Sequence, residues 1–284
     1  MDASTRVNGA HCQTRDAVAR ERPMRVKIAT AGAMSSGKTA LIRRFFAEAR
    51  SAASDGEASA VNDWRAIPTV GMDFGTMRIE YDENDISLAV DADDAELSQS
   101  SKAIRGCFFD PSGDEAHAPC RREAYRDADG VILVIDANRR ASQTELESII
   151  REIVSAPRTD EKNSDPIHVL VVRAKTHSAP SRAALRPTSA SILPVQDDDS
   201  ELALLRHRLQ TLSNALANHK PPQGAHGERE TPIQFIANPT SSGRSPLADI
   251  AVIDTDAASG AGVTRAVRTL AAHIARAKSV SIVS

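Results

Sequence analysis

The chain has few aromatic residues, few cysteines and no long apolar run. Aromatic residues make up 3% of its 284 residues, against 41% apolar residues overall, so we expect a core of Val, Ile, Leu and Ala. No apolar run approaches the roughly 18 residues that a membrane-spanning helix needs. The three cysteines, Cys12, Cys107 and Cys120, have neither metal-ligand nor disulfide-framework spacing, which favours a reducing compartment.

The chain also lacks an excess of charge of either sign. It carries 35 basic and 38 acidic residues, a net charge of −3, so no general attraction to nucleic acid or anionic lipid is expected. The polar N-terminal residues contain no secretory hydrophobic block, and no cysteine after Cys120 could accept a prenyl group. We therefore expect a cytoplasmic protein with no direct membrane anchor, localised by protein partners.

Apolar strand patterns alternate with amphipathic helix patterns along much of the chain. "RVKIATAG" predicts a strand that enters a glycine loop, and "GVILVID" and "IHVLVV" (167–172) are short apolar runs typical of parallel strands covered on both faces. Between them, apolar residues recur with helical spacing. This alternation predicts a three-layer α/β domain with a largely parallel sheet. The apolar residues that would line one face of the predicted helix between the two runs are Leu146, Ile149, Ile150, Ile153 and Val154.

Composition changes divide the chain into a single domain with additions. We predict a flexible extension at 1–24, a domain at 25–278 and a tail at 279–284. Insertions are expected at about 82–102 and 176–231. The first is acidic and serine-rich, but it lacks the glycine and final glutamate of a calcium loop, which favours a solvated hairpin extension. The second includes a leucine-rich helix that Asp199 or Ser200 can cap.

The stretch "AGAMSSGKT" at 31–39 has the GxxxxGK(S/T) spacing of a phosphate-binding loop. It lies between an apolar strand and an amphipathic helix, which is the position that such a loop requires. Its backbone N–H groups can surround phosphate oxygens, while Lys38 supplies a cation and Thr39 a hydroxyl for Mg²⁺. The predicted phosphate-binding residues here are Gly32, Ser35, Ser36, Gly37, Lys38 and Thr39.

Two further positions suit a magnesium–nucleotide site. Asp110 ends a predicted strand and Gly113 follows it as DxxG, so the carboxylate can hold Mg²⁺ and the glycine amide can meet a γ-phosphate. Thr69, in "PTVG", lies between the first helix and the next strand and can bring its hydroxyl to the same ion. The predicted metal ligands are therefore Thr39, Thr69 and Asp110.

These motifs resemble those of the Ras/Rab-like small GTPases. "GAMSSGKT", "PTVGMDF", "FDPSGDE" and "YRDADGVILVIDANRRAS" follow one another in that family's order and approximate spacing. The resemblance covers about residues 25–175 and resumes at "DTDAASGAGVTRAVRTLAAHI". It implies a Ras-like P-loop fold with a mostly parallel six-stranded sheet and about five flanking helices. It also implies that a guanine nucleotide, GTP, and Mg²⁺ bind above the strand ends.

The residue after DxxG departs from the family pattern. Family members that hydrolyse GTP efficiently have a glutamine there, which orients the attacking water, whereas this chain has Asp114. A carboxylate cannot donate an amide hydrogen bond. Its charge at 4 Å from a γ-phosphate would cost about 4 kcal/mol at an effective dielectric constant near 20. We therefore assign no catalytic residue and expect hydrolysis to be slow or absent.

Guanine recognition departs from the family pattern too. The family's NKxD motif follows strand 167–172, where this chain reads "AKTH", with Ala174 for the asparagine and His177 for the aspartate. Lys175 remains and could lie over a purine face. An alternative alignment places the motif after "IQFIA", at 238–241, which also lacks a carboxylate. Under either alignment, the acceptor for the guanine edge is missing.

The closing loop is altered as well, with Asp256, Ala257 and Ala258 where the family usually has Ser-Ala-Lys. Hydrogen bonds to a charged group are worth about 1.5–3 kcal/mol each, so the loss of two could remove a hundredfold of guanine preference. We expect weak, base-tolerant binding in which ATP competes with GTP. The predicted weak base contacts are Lys175, Ala257 and Ala258.

Three traits indicate a particular subfamily of these GTPases: an acidic residue after DxxG, no NKxD motif and no lipidation cysteine. Together they are similar to the Rab-like subfamily of intraflagellar transport complex B. That resemblance implies a peripheral subunit that rides on coiled-coil subunits of the ciliary particle, found at the cilium or flagellum and the basal body. The alternatives are a Ras/Rab-type switch in vesicle traffic that needs an external activating protein, and, less favoured, an unrelated P-loop ATPase or kinase.

Overall fold

A computed structural model describes most of the predicted domain. The ranges are residues 23–53, 69–82, 84–86, 101–139, 141–159, 165–175, 198–218, 231–237 and 250–283. Several predictions fall outside them, including those on His177, on the alternative base motif at 238–241 and on most of the 1–24 extension. Those predictions stay as they were made.

Strands and helices alternate along the described chain, as the apolar patterns predicted. The strands are β1 (Arg25–Ala31), β2 (Met72–Tyr81), β3 (Lys102–Pro111), β4 (Gly130–Asp136), β5 (Ile167–Lys175), β6 (Ile233–Phe235) and β7 (Val252–Asp256). The helices are α1 (Lys38–Ala53), α2 (Ala118–Tyr125), α3 (Gln143–Val154), α4 (Asp198–Asn218) and α5 (Val263–Val283).

The strands form one mixed sheet in the order β2-β3-β1-β4-β5-β6, with β7 also paired to β5. Among the strand pairs of the described residues, only β2–β3 is antiparallel, so the sheet is mostly parallel as expected. The described sheet has seven strands rather than the predicted six. The difference arises because β6 pairs with residues 167–169 and β7 with residues 171–175 of the same neighbour, so two short strands share the sixth position.

The core lies on both faces of this sheet, which explains why β4 and β5 are nearly all apolar. One face packs against α1 and α5, and the other packs against α2, α3 and α4. Four apolar residues with helical spacing on α5 are fully buried against this sheet: Val263, Val267, Leu270 and Ile274. The Ras-like three-layer fold is therefore confirmed.

Element ends differ from the predicted boundaries in three places. Helix α5 continues to Val283, five residues beyond the predicted domain end at 278, and β5 continues to Lys175 rather than stopping at 172. Met24, assigned to the extension, accepts a hydrogen bond from the Arg105 amide at 2.7 Å and packs against the core. These segments end where packing ends, which apolar periodicity locates only within a few residues.

Candidate nucleotide-binding site

The glycine loop between β1 and α1 has a backbone that glycine makes possible. Gly32 has φ of +142°, and a Cβ there would lie 2.2 Å from the Val134 carbonyl oxygen on β4. Ser35 also lies in the left-handed region, with φ of +62°. Alternation of right- and left-handed residues turns successive N–H groups toward one centre, which forms an anion-binding concavity.

Lys38 is held at the first residue of α1 with its ammonium group inside the loop. It is 6% exposed, and its Nζ donates to the carbonyl oxygens of Gly32 at 2.9 Å and Ala33 at 2.7 Å. Burial lowers the pKa of Lys38 to about 8, while the carboxylate of Asp110 opposes that shift. A phosphate at this position would stabilise the charged form and gain a strong ion pair.

Gly113 and Ser36 complete the wall around Lys38. A Cβ on Gly113 would lie 2.6 Å from the Met34 amide nitrogen and 2.8 Å from Lys38 Nζ, so a side chain would fill the cradle. Ser36 is 2% exposed, and its hydroxyl has no hydrogen-bond partner within the described residues. A buried hydroxyl without a partner is costly, and a phosphate oxygen would satisfy it.

The three predicted metal ligands lie together beside the loop. Thr39 Oγ1 donates to Asp110 Oδ2 at 2.6 Å and lies 2.8 Å from Thr69 Oγ1. The other carboxylate oxygen of Asp110 accepts from Thr30 Oγ1 at 2.6 Å, a contact that the sequence motifs did not indicate. Burial raises the pKa of Asp110, and hydrogen bonds from Thr30 and Thr39 together with the Lys38 charge oppose the rise.

This donor set fits Mg²⁺ rather than a transition metal. Mg²⁺ prefers oxygen ligands and is usually held by one or two carboxylates together with substrate phosphates. Among the described residues, no group of three or more His, Cys, Asp or Glu side chains could hold a metal ion by itself. Thr39, Thr69 and Asp110 would therefore hold the ion with the phosphates, and the ion would neutralise their charge.

Sequence analysis missed Arg121, which fixes the loop around Gly113. Its guanidinium donates to the Ser112 carbonyl at 3.4 Å and also to the Asp114 carbonyl. Its Nε is anchored by Glu152 of α3, at 3.0 and 2.9 Å from the two carboxylate oxygens. Arg121 is 8% exposed, so α3 positions the Gly113 amide through a buried ion pair. No motif marks this arginine in "CRREAY".

Asp114 performs a local structural task. Its side chain accepts a hydrogen bond from the Ala116 amide at 3.0 Å and caps the short 3₁₀ turn Glu115–His117. The residue is exposed, so solvent screens its charge and like-charge repulsion of a phosphate is weaker than expected from the sequence. The expectation of slow hydrolysis therefore rests on the missing amide donor rather than on the extra charge.

Fewer buried polar side chains are described on the base side of the site than on the phosphate side. Lys175 ends β5 with an exposed side chain, and Ala174 is buried in the core at 5% exposure. Lys175 is in register with Asp256 at the end of β7, so "AKTH" begins next to the closing loop. A methyl group at Ala174 offers nothing to the guanine edge.

The split sixth strand bears on the choice between the two alignments of the base motif. Strand β6 pairs with Ile167–Val169, at the start of β5, about six residues or 20 Å short of the edge where β5 ends. Strand β7 occupies that edge instead. The alignment that begins at Ala174 thus starts at the edge where β5 ends, which favours it. Residues 176–177 and 238–241 lie outside the described residues, so the choice of alignment stays a prediction.

The closing loop after β7 is ordered by its own carboxylate and by α1. Asp256 Oδ1 accepts from the amides of Ala258 at 2.8 Å and Ser259 at 3.4 Å. Arg44 donates to the carbonyl oxygens of Ala258 at 3.2 Å and Ser259 at 2.9 Å. Ala257 and Ala258 are thus held beside α1 in a fixed loop, but they contribute no polar side chain to a base.

Comparison with known proteins agrees with this geometry. The model of the Ras family matches residues 27–184, which is more than half of the chain. DnaJ homolog subfamily C member 27-B of Xenopus laevis is 24% identical over 163 residues, covering 57% of this chain and 48% of that protein. The Bos taurus DnaJ homolog subfamily C member 27 is 24% identical over 132 residues, covering 46% and 37%.

The chain thus spans less than half the length of these curated relatives. Among solved structures, the Arl6 (BBS3) small GTPase of Trypanosoma brucei, with bound GppNp, matches at TM-score 0.46 and 15% identity, covering 89% of this chain and 99% of that one. No helix in the described part of the chain is long and apolar enough to cross a bilayer. On the family match and the motif order, the chain belongs to the Ras family of small GTP-binding proteins.

Proposed function

We propose that this chain is a nucleotide-binding module that binds a nucleotide mainly through its triphosphate and Mg²⁺, contacts the base weakly and hydrolyses GTP slowly or not at all. The observation that carries the proposal is the contrast within one site. Lys38 and the unpartnered Ser36 hydroxyl are buried around the phosphate position, whereas Lys175, the predicted contact to the purine face, is exposed.

Weak base reading follows from the side chains at the strand ends. Ala174 takes the place of an amide, and Ala257 and Ala258 provide only backbone groups. GTP and ATP share the phosphates and the purine face that Lys175 can cover, so the two nucleotides compete. The cofactors are GTP, with ATP as a competitor, and Mg²⁺ held by Thr39, Thr69 and Asp110.

Slow hydrolysis follows from Asp114. Its carboxylate is engaged with the Ala116 amide and has no donor for an attacking water. The bound nucleotide then acts mainly as part of the folded structure. A ligand that binds only the folded state at tens of its dissociation constant adds about 2 kcal/mol to the free energy of unfolding.

The cellular role is proposed from the resemblance alone. A module with degenerate base recognition fits a peripheral subunit of intraflagellar transport complex B, bound to its coiled-coil subunits in the cytoplasm, at the basal body and in the cilium or flagellum. Such a subunit needs no membrane anchor of its own and no contact with nucleic acid.

Single-turnover hydrolysis of GTP tests the enzymatic part of the proposal. We expect the native chain to be slow and Asp114→Gln to be at least about tenfold faster, because the amide can orient water. Asp114→Ala is the control: it loses the cap, at a cost of about 1 kcal/mol in stability, without gaining the amide, so its rate should not rise.

Rapid hydrolysis by the native chain, or equal rates for the Gln and Ala variants, would contradict the proposal. Rapid turnover would instead favour the alternative function, a Ras/Rab-type switch in vesicle traffic. Faster GTP hydrolysis by the native chain on addition of an activating protein would also favour the switch, since a group supplied by that protein can stabilise the transition state.

A further inference from the structure

A buried threonine in the first strand lies beside the carboxylate of the candidate magnesium site. Thr30 shares one face of β1 with Val26 and Ile28, which pack in the core toward α1 and α5. Thr30 is itself 1% exposed. Valine has the same branched shape without the hydroxyl and would continue this apolar face. Burial of a hydroxyl is costly unless it has a hydrogen-bond partner, so the partner of Thr30 indicates its task.

That partner is the carboxylate of Asp110. Ala29 of β1 is in register with Phe109 of β3, so Thr30 and Asp110 follow side by side near the ends of these strands. A hydroxyl has a single O–H group, and that of Thr30 donates to Asp110 Oδ1 at 2.6 Å. The two residues are 1% and 3% exposed, so water competes little for this bond. The bond therefore fixes the orientation of the carboxylate.

The two oxygens of the Asp110 carboxylate have different partners. Oδ1 is held by Thr30, whereas Oδ2 accepts from Thr39 Oγ1 at 2.6 Å, and that hydroxyl lies 2.8 Å from Thr69 Oγ1. Oδ2 is thus the oxygen next to the other two predicted ligands of the ion. Turning the carboxylate to bring Oδ1 to the same side would leave the buried hydroxyl of Thr30 without its partner. Asp110 can therefore offer one oxygen to an ion, but not both.

A single carboxylate oxygen suits Mg²⁺ better than Ca²⁺. Mg²⁺ demands near-octahedral geometry at about 2.0–2.1 Å and keeps several waters, so one oriented oxygen serves it either directly or through a water. Ca²⁺ takes about six to eight oxygens at about 2.3–2.6 Å, and carboxylates often bind it through both oxygens. A carboxylate that is free to turn would therefore favour Ca²⁺ more than a fixed one does.

We propose that Thr30 is a positioning residue that restricts Asp110 to a single oxygen toward the ion and so makes the nucleotide site select Mg²⁺ over Ca²⁺. Thr30 acts through Asp110 and contacts neither the ion nor the nucleotide. Removal of a group that orients a metal ligand typically changes metal affinity by about 10–100-fold. The inference rests on the proposed function, because it takes Asp110 as a group that holds the ion beside the triphosphate.

A purely structural role for Thr30 predicts a different result. If its hydroxyl only satisfied a buried carboxylate, loss of the hydroxyl would weaken nucleotide binding equally with every ion. A positioning role instead changes the ratio of the affinity measured in Mg²⁺ to the affinity measured in Ca²⁺. The two ions differ in their affinity for free nucleotide, but that difference is the same for every variant and cancels when the ratios are compared.

Binding of a fluorescent GTP analogue to the full chain, in Mg²⁺, in Ca²⁺ and in chelator, tests the proposal. Thr30→Val removes the hydroxyl and keeps the branched shape of the side chain. We expect its ratio of affinity in Mg²⁺ to affinity in Ca²⁺ to fall at least about fivefold below the native ratio. Thr30→Ser retains the hydroxyl, so its ratio should stay within about twofold of the native one.

Thr269→Val is the matched control. Thr269 of α5 is also 1% exposed, but its hydroxyl has no hydrogen-bond partner within the described residues. The same substitution there should leave the ratio within about twofold of the native value. If Thr30→Val does not fold, Thr30→Cys provides the test, because its thiol is a weak donor and should lower the ratio in the same direction.

Three results would overturn the proposal. They are an unchanged ratio in Thr30→Val (or in Thr30→Cys, where that variant replaces it), equal losses of affinity in Mg²⁺, Ca²⁺ and chelator, and equal shifts in Thr30→Val and Thr269→Val. In each case the native chain still binds the analogue with Mg²⁺, so the proposed function would stand. A native chain that binds no analogue, or binds it equally in Mg²⁺ and in chelator, would contradict the proposed function and this inference with it.

Discussion

The phosphate end and the base end of the site belong to the same three-layer fold, but buried polar contacts are concentrated at the phosphate end. At the phosphate end, Lys38 and Asp110 are 6% and 3% exposed and every contact among Thr30, Thr39 and Asp110 is within 2.6 Å. At the base end, Lys175 is exposed and Ala174 contributes only to the core.

This difference is the basis for the proposal that the chain recognises the phosphates more than the base. Buried charges are stable only when they are paired, so a triphosphate and its ion would add partners for Lys38 and Asp110. Among the described residues, the predicted base contacts are the exposed Lys175 and the side chains of Ala257 and Ala258, none of which is a buried polar group. A site discriminates strongly only when the wrong ligand leaves buried polar groups unpaired.

The largest expected effect is the loss of Lys38. Lys38→Ala removes the ammonium group that lies between the Gly32 and Ala33 carbonyls, and with it the charge-assisted bonds to phosphate. At about 1.5–3 kcal/mol for each bond, affinity for GTP should fall more than about 100-fold. Calorimetric titration of the variant measures this, and a fall below tenfold would contradict a phosphate-dominated site.

The pH dependence of stability isolates the same residue. The pKa of Lys38 is about 8 in the folded chain and 10.5 in the unfolded chain. Between these values the unfolded chain binds more protons, so the free energy of unfolding rises with pH, by up to about 3 kcal/mol in the nucleotide-free protein. Below pH 8 the penalty of the buried charge is fully present.

Chemical denaturation at pH 7.5 and at pH 10 would give the change in the free energy of unfolding of the native chain and of Lys38→Met. The difference between the two changes is the contribution of Lys38, because these pH values cover most of its titration. If the free energy of unfolding of the native chain changed with pH no more than that of the Met variant, the buried, charged lysine would be ruled out. Affinity for GTP should decline above pH 8, since phosphate binds the protonated form.

Asp110→Asn should have a smaller effect that is confined to Mg²⁺. The amide can still accept a bond from Thr30 or Thr39 but loses the charge that holds the ion. We expect added Mg²⁺ to improve the affinity of the native chain for GTP by about tenfold or more and to change that of the variant little. Equal improvement in both would mean that Asp110 is not a ligand of the ion.

Lys175→Ala should have the smallest effect. Its ammonium group is exposed, and cation–π contacts at exposed sites are worth about 0.5–1 kcal/mol, so affinity should change by about fivefold or less. The same loss should be seen for GTP and ATP. A much larger loss for GTP alone would show that the base end recognises guanine after all.

The phosphate end could be predicted from the sequence because its motifs are local. Gly32, Gly37, Lys38 and Thr39 lie within one turn of loop and helix, and the loop conformation follows from the glycines. Asp110 and Thr69 could be added because parallel strands end at a common edge. The structure brings all of these residues together, while their roles as ligands stay predictions.

Other features depend on long-range contacts that no motif encodes. The Arg121–Glu152 pair joins residues 31 positions apart, and Asp114 is a cap only because the chain turns into a 3₁₀ segment there. The Thr30–Asp110 contact depends on the register of β1 and β3, which periodicity alone does not fix. The split of the sixth strand likewise depends on which part of β5 each short strand pairs with, and the apolar pattern of neither short strand encodes that.

Competition among nucleotides measures the central contrast most directly. Unlabelled GTP, ATP and CTP would displace a fluorescent GTP analogue from the native chain, with Mg²⁺ and with a chelator. We predict that GTP and ATP displace the analogue within about tenfold of each other, that CTP is weaker, and that chelation weakens all three. A preference for GTP over ATP of a thousandfold or more, or no displacement by any triphosphate, would contradict the account.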